Sequence, residues 1–222
     1  MKAISIELRA PIDGRTVDYT ALSHKVADLS ARAVIVVLFS LMAVRFGADF
    51  IATGRVTGLF LLLSETLVVV LTVARRSAAI VDRSVRARLL TAVSTLGPPL
   101  LAPAAVAMAP EAMTIALSCA GLAVVIAGKI TLGRSFALLP ANRGVVSSGV
   151  YGIVRHPIYM GYLITHVAFL MANPSMWNVV ALIAADTALL ARAVCEEQTL
   201  ALDGKYREYM TRVRWRVAPG LF

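Results

Sequence analysis

Long apolar runs alternate with short clusters of charged residues along most of the chain. Four runs are long enough to predict membrane helices, because about 20 apolar residues cross a bilayer; they lie at about 33–50, 56–74, 89–108 and 113–132. Two shorter runs follow a polar loop, at 158–171 and 175–191. Fourteen helical residues rise only about 21 Å, less than the roughly 30 Å of a bilayer core. The pattern predicts an all-α integral membrane protein with about six membrane helices, the last two a short helical hairpin.

Changes in polarity divide the chain into three parts. Residues 1–32 mix polar and apolar positions, which predicts a cytoplasmic or interfacial segment. Residues 33–132 hold the first four apolar runs and predict a scaffold of transmembrane helices. Residues 133–222 contain the polar loop, the hairpin and a polar C-terminal tail. Pro98, Pro99 and Pro103 must kink or interrupt the third helix.

Composition and charge agree with a membrane location. The chain is 59% hydrophobic with a mean hydropathy of +0.77, above the usual apolar share of a soluble domain. The net charge of +9 could indicate nucleic-acid binding, but the basic residues lie beside the apolar runs, where topology explains them. Of 22 Lys and Arg, 19 fall on one set of polar segments, whereas Arg45 and Arg55 lie on the other face and Lys129 lies inside the fourth helix. This asymmetry predicts an inner or plasma membrane protein with both termini and the 133–157 loop in the cytoplasm.

Common soluble cofactor and metal motifs are missing from the sequence. There is no glycine-rich dinucleotide motif of the Rossmann type. Cys119 and Cys195 lack the spacing of metal ligands, so no metal is predicted.

Residues 149–161 place an arginine, a histidine and a proline next to one another at the predicted start of a helix. Pro157 suits the first position of a helix, which places Arg155 and His156 at a helix N-terminus, where N–H groups and the dipole favour an anion. Gly161, one turn later, allows a ligand or another helix to approach the backbone. The stretch predicts an anion-recognising site at the membrane edge; the alternative is an ordinary loop-to-helix junction with basic residues at the headgroups.

Carboxylates lie within and beside the apolar runs. Glu65 lies near the middle of the second run, where a carboxylate is costly unless it is paired or protonated; a helix-packing hydrogen bond and a ligand contact both remain open. Arg192 and Glu196 are four residues apart and share a helix face, and Glu197 follows. This cluster predicts either a solvated, ion-paired helix end or part of a site.

The second half also carries a family pattern, over about residues 128–222. The matching residues are Leu132 to Phe136, Pro140, Arg143, Gly149 to Tyr151, Arg155 to Gly161, Glu196, Glu197, Tyr206, Tyr209, Val213, Arg216, Pro219 and Gly220. With these residues the chain resembles the isoprenylcysteine carboxyl methyltransferase and phospholipid methyltransferase superfamily of membrane enzymes. The resemblance implies S-adenosylmethionine as cofactor and a lipidic acceptor arriving from the bilayer. Residues 133–222 would be the methyltransferase core, with a cytosolic C-terminal cap over the cofactor.

The resemblance also implies roles for individual residues. Cofactor contacts are expected from Tyr151, Arg155, His156, Pro157, Tyr159, Gly161, Glu196 and Glu197. A glutamate can hold the ribose hydroxyls or the ammonium, and aromatic rings suit the adenine and attract the sulfonium. The expected catalytic residues are Arg216, Arg192 and Glu196. The acceptor's carboxylate is expected to bind Arg216 or Arg192, with Arg143 a further candidate.

Carboxyl methyl transfer is the function that these features favour. A carboxylate is ionised at neutral pH and needs no general base. The alternatives are N-methylation of phosphatidylethanolamine, with Glu196 or Glu65 as base, and a non-catalytic membrane scaffold. The expected partners are the lipidic acceptor and membrane lipids, without nucleic acid; the sequence leaves the oligomeric state open.

Overall fold

The computed structural model describes residues 19–74, 80–82, 84–135, 141–142 and 144–222. Within these residues the fold is built from helices, which confirms the all-α class. The helices are α1 (Tyr19–Thr53), α2 (Thr57–Ala74), α3 (Val85–Leu96), α4 (Glu111–Leu132), α5 (Pro157–Ala172), α6 (Met176–Leu200) and α7 (Gly204–Arg212). A two-residue antiparallel pairing joins β1 (Ile80–Val81) to β2 (Ala141–Asn142).

Three of the described helices are long and apolar enough to cross a membrane. These segments are Val36–Thr53 within α1, Glu111–Leu132 and Met176–Leu200. Helix α5 is also apolar but has only 16 residues. Large apolar side chains such as Val44, Ile51 and Ile130 are exposed on these helices, as expected for surfaces that face lipid. The protein is therefore an integral membrane protein, although six crossings are not confirmed.

The N-terminal helix extends across the predicted boundary at residue 32. From Tyr19 onward the backbone forms one continuous helix of 35 residues, so the expected interfacial segment runs directly into the first span. Residues 1–18 lie outside the described residues. The five-arginine connection after α2 is described at Arg86 and Arg88 but not at Arg75, Arg76 or Arg83.

Prolines interrupt the third apolar run, as predicted. Helix α3 ends at Leu96, a 3-10 turn covers Pro98–Leu100, and the chain continues without helix to residue 110. Backbone groups in a membrane protein need internal partners, and two asparagines supply them here. The Asn178 side chain accepts from the Ala102 N–H (3.1 Å) and donates to the Ala102 carbonyl (2.8 Å), while Asn173 Oδ1 accepts from the Ala104 N–H (3.1 Å). These bonds hold the irregular segment against the start of α6.

Helix α5 packs mainly along α4, and α6 packs mainly along α3. A Cβ added at Gly121 would lie 2.8 Å from the Gly161 carbonyl oxygen, and one added at Gly161 would lie 2.7 Å from the Gly121 carbonyl oxygen. Small residues allow this backbone approach. A Cβ at Gly97 would likewise collide with Ala185 of α6. The expected hairpin of α5 against α6 is therefore not confirmed.

Helix α6 extends to Leu200 rather than ending near Ala191. The sequence pattern predicts the end of the helix where charged residues begin. However, Arg192 and Glu197 are buried, with 5% and 4% of their surface exposed. Their charges are paired inside the protein, so polarity does not mark the end of this helix.

Candidate functional site

A cavity of about 1100 Å³, counting the open solvent at its mouth, lies between α5, α6 and α7. Its outer end is lined by residues 144–146 and by Tyr151, Tyr206 and Tyr209, and its inner end reaches Glu65 on α2. Its lining combines aromatic, acidic and basic side chains with apolar ones, as small-molecule sites do.

One face of α5 forms a wall of this cavity. His156, Tyr159, Tyr162 and His166 all line it and are spaced by three or four residues, which places them on the same side of a helix. His156 stacks on Tyr159, with ring centroids 5.1 Å apart. His156 and Tyr159 are among the residues predicted from the sequence, whereas Tyr162 and His166 are not; they follow Tyr159 at the same helical spacing, which is the signal that points to them.

Glu196 is fixed on the wall of the cavity. Its Oε1 accepts from the Tyr159 hydroxyl (2.7 Å) and from Arg192 Nε (3.1 Å). The Arg192 guanidinium also lies 5.5 Å from the centroid of the Tyr159 ring. Glu196 Oε2 is 3.7 Å from His156 Nδ1, which is too long for a good hydrogen bond. Glu196 therefore lines the cavity with one oxygen held in place and one able to accept a further donor.

Glu197 has a different environment from its neighbour. Its carboxylate accepts from Arg155 Nε (2.7 Å) and Nη2 (3.2 Å), from Arg216 Nε (2.8 Å), and from His156 Nε2 (3.2 Å) when that nitrogen carries the proton. A carboxylate has about four acceptor sites, and these four bonds use them. Within the described residues, the cavity wall includes Glu196 and not Glu197. The cofactor contact of Glu197 stays a prediction, and in the structure its carboxylate is directed toward Arg155, His156 and Arg216.

The C-terminal tail is attached to the start of α5 by hydrogen bonds from the Arg155 side chain and from two backbone N–H groups. Arg155 Nη1 donates to the carbonyls of Val213 (2.7 Å) and Arg214 (2.8 Å). The Arg155 N–H donates to the Trp215 carbonyl (2.9 Å), and the His156 N–H donates to the Arg216 carbonyl (2.6 Å). These two N–H groups are therefore not free for the anion that the sequence predicts there.

Two further predicted contacts fall between helices. Gly161 faces Gly121 of α4, so its close approach serves helix packing rather than a ligand. Pro157 is the first residue of α5 and contacts the position of Gly128 on α4. Both residues shape the α4–α5 contact behind the cavity wall.

The three candidate arginines occupy different places. Arg192 is 5% exposed and lines the cavity. The Arg216 side chain is 34% exposed; it pairs with Glu197 and lies 5.1 Å from the centroid of the Phe222 ring. Arg143 lies outside the described residues. Of these two candidates, the structure thus brings Arg192 to the cavity and pairs Arg216 with Glu197 of α6 and with Phe222 of the tail.

Three tyrosines form an aromatic outer end of the cavity. The Tyr209 hydroxyl donates to the Tyr151 carbonyl (2.7 Å), and the rings of Tyr206 and Tyr209 meet edge to face at 5.4 Å. Burial raises the pKa of Tyr209 to about 12 and raises the pKa of Tyr151 and Tyr206 as well. All three phenols are neutral at physiological pH. The family pattern includes Tyr206 and Tyr209, but the sequence analysis did not assign them to the site.

Comparison with known proteins agrees with the family pattern. Residues 112–202 match the family model described as the isoprenylcysteine carboxyl methyltransferase (ICMT) family. The match includes His156, Tyr159, Arg192 and Glu196, whereas the tail that carries Tyr206, Tyr209 and Arg216 follows it. A search of curated proteins finds no match to the chain.

Proposed function

Residues 112–202 match the model of the isoprenylcysteine carboxyl methyltransferase family, and on this premise we propose that the protein uses S-adenosylmethionine to methylate the carboxylate of a lipidic, isoprenylcysteine-like acid. The observation that carries the proposal is the arrangement of Tyr159, Arg192 and Glu196 on one cavity wall, next to an aromatic outer end. The product is a methyl ester.

The residues of the cavity fit the cofactor. S-adenosylmethionine carries a carboxylate, an ammonium, a ribose diol and an adenine, and it supplies an electrophilic methyl group when bound. Glu196 Oε2 can accept from the ammonium or from the ribose hydroxyls. Tyr151, Tyr206 and Tyr209 offer neutral rings for the adenine. His156 and Tyr159 border the same space and, in the proposal, contact the remaining polar groups.

Arg192 is the residue best placed to orient the acceptor. Its guanidinium is buried, lines the cavity and is fixed by Glu196 and by contact with the Tyr159 ring. A planar guanidinium can bind a carboxylate through two parallel hydrogen bonds. Because the acceptor is already ionised, its main requirements are alignment and exclusion of water. In this proposal the apolar part of the acceptor lies between the membrane helices.

The charge asymmetry of the sequence supports the orientation. We infer that the cavity mouth, α7 and the tail face the cytoplasm, because most Lys and Arg fall on that set of segments. The cofactor would then enter from the cytoplasm and the acceptor from the bilayer. N-methylation of a lipid amine is the second candidate, because Glu65 on the cavity wall could serve as its base.

Labelled cofactor tests the reaction directly. Purified protein is incubated with methyl-labelled S-adenosylmethionine and prenylcysteine analogues, isoprenoid and fatty acids, or phosphatidylethanolamine. We expect base-labile label on an acid, which identifies a methyl ester. Base-stable label on the amine would replace the proposal with N-methylation, and no transfer to any member of the panel would refute both.

Variants of two arginines test the assignment of the acceptor site. Arg192→Ala should lower turnover by a factor on the order of 10², as removal of an oriented charge contact does, and Arg192→Lys should restore little of it. Arg216→Ala is the matched control and should retain most of the turnover at a temperature where it is folded. The opposite ranking would assign the acceptor to Arg216.

A further inference from the structure

The inner end of the cavity holds polar side chains that methyl transfer to a carboxylate does not use. Glu65, Tyr162 and His166 are buried, with 4%, 8% and 3% of their surface exposed, and all three line the cavity. Among the described residues, neither Tyr162 Oη nor His166 Nε2 has a hydrogen-bond partner. Buried polar atoms without a partner are uncommon and costly. Two such atoms on adjacent turns of α5 indicate a place for a polar group of a ligand.

The two unpartnered atoms have complementary hydrogen-bonding roles. His166 Nδ1 is 2.6 Å from Asp186 Oδ1, and a carboxylate only accepts, so Nδ1 carries the proton. In the neutral imidazole, Nε2 then presents a lone pair. The Tyr162 hydroxyl can donate, and its ring stacks on that of His166 with centroids 6.2 Å apart. A donor and an acceptor therefore lie side by side.

The surrounding charges favour a neutral ligand group. Lys129 Nζ donates to the Ser64 carbonyl (2.7 Å), lies 5.1 Å from the centroid of the Tyr162 ring and interacts electrostatically with Glu65. Lys129 offsets the charge of Glu65, so a carboxylate ligand would find no excess of positive charge here. Asp186 lies at Nδ1, on the other side of the His166 ring from Nε2, and the Lys129 ammonium beside the Tyr162 ring would repel a ligand cation. A hydroxyl both donates and accepts without adding charge.

We propose that this inner end is a binding subsite for an alcohol hydroxyl of the acceptor, so that the substrate class is a hydroxylated lipidic acid. The hydroxyl donates to His166 Nε2 and accepts from Tyr162 Oη. The inference rests on the proposed function in placing the carboxylate of the same molecule at Arg192. Asp186, which holds His166, and Arg192 are six residues apart on α6, which corresponds to roughly 9 Å along the helix. The two polar groups of the ligand should be separated by a similar distance.

A chain-length series measures this separation. Affinities are determined by titration calorimetry in detergent without cofactor, for ω-hydroxy fatty acids of increasing length and for the unhydroxylated acids of equal length. For the wild type we expect the hydroxyl to raise affinity roughly fivefold at one length, as one net hydrogen bond does, with little gain at much shorter or longer lengths.

Tyr162→Phe is the decisive variant because it removes an oxygen without a partner and should fold normally. In this variant the increase in affinity that the hydroxyl provides should fall to about twofold or less. The Tyr206→Phe variant, changed at the other end of the cavity, should keep the wild-type increase. Dividing each affinity by that of the unhydroxylated acid removes differences in partition into micelles. A gain absent at every length, or equal in the wild type and Tyr162→Phe, would overturn the subsite and leave ordered water as its occupant.

The same protein preparations separate this inference from the proposed function. Ester formation without a hydroxyl gain rejects only the subsite. A length-specific hydroxyl gain without ester formation rejects only the carboxyl methyl transfer.

Discussion

Replacing Glu197 or Glu196 by glutamine should separate stability from cofactor binding at two adjacent positions. Glu197 accepts four hydrogen bonds, two of them from the buried Arg155. Glutamine has one acceptor oxygen and would turn its NH₂ group toward these donors. Removing one partner of a buried ion pair costs about 3–5 kcal/mol. For a chain of this size, that loss corresponds to a fall in Tm on the order of 10 °C.

Glu196→Gln is the matched comparison. A single oxygen of Glu196 already accepts from both Tyr159 and Arg192, and glutamine can keep that oxygen in place. We expect this change to cost less of the free energy of unfolding than Glu197→Gln, because Glu196 pairs with one arginine whereas Glu197 pairs with two. It should nevertheless weaken S-adenosylmethionine binding about tenfold or more, because an NH₂ donor replaces the charged acceptor oxygen that faces the cavity.

Two measurements on the same preparations check this prediction. Circular dichroism in detergent gives the Tm without ligand, and calorimetry well below the lowest Tm gives the affinity for S-adenosylmethionine or S-adenosylhomocysteine. For Glu197→Gln we expect a large fall in Tm and near-normal affinity for the cofactor. For Glu196→Gln we expect a smaller fall in Tm and a weakened affinity. If Glu197→Gln keeps its Tm but loses the cofactor, the division of roles between the two glutamates is wrong.

Three further predictions concern packing, the aromatic end and topology. Gly161→Ala should destabilise the protein by about 1–3 kcal/mol through overpacking, whereas Gly47→Ala, with open space around it, should be neutral or stabilising in thermal unfolding. Tyr209→Phe should lower the free energy of unfolding by about 1–3 kcal/mol, because a buried carbonyl loses its donor; an unchanged Tm would contradict this. In a cysteine-free background, Cys at position Lys205 should be labelled only from the cytoplasm and Cys at Met108 only from outside, and the reverse would invert the topology.

The start of α5 was predictable because its signals are local. Proline at the first helical position and the apolar run after it place the helix start at Pro157, where the structure has it. The interruption after α3 is local as well, since Pro98 and Pro99 cannot continue a helix. The path of the following segment depends on Asn173 and Asn178, which are distant in sequence, so no local pattern could give it.

The division of roles between Glu196 and Glu197 was not predictable from their order in the chain. The two residues are adjacent and equally acidic, and their positions differ only by about 100° around the helix. Which one meets the cavity depends on where Arg155 and the tail lie. The same holds for the two arginines: the family pattern includes Arg216 and not Arg192, whereas Arg192 is the one that is buried and lines the cavity.

The glycine contact between α4 and α5 limits how the cavity can exchange its ligands. With the two backbones already in contact at Gly121 and Gly161, α5 cannot move toward α4 to make room. The aromatic face of α5 therefore acts as a stationary surface against which ligands are positioned. We expect widening of the entrance to come from α7 and residues 144–146, which border the outer end. Binding kinetics should then respond to changes in these outer segments more than to changes along the α4–α5 contact.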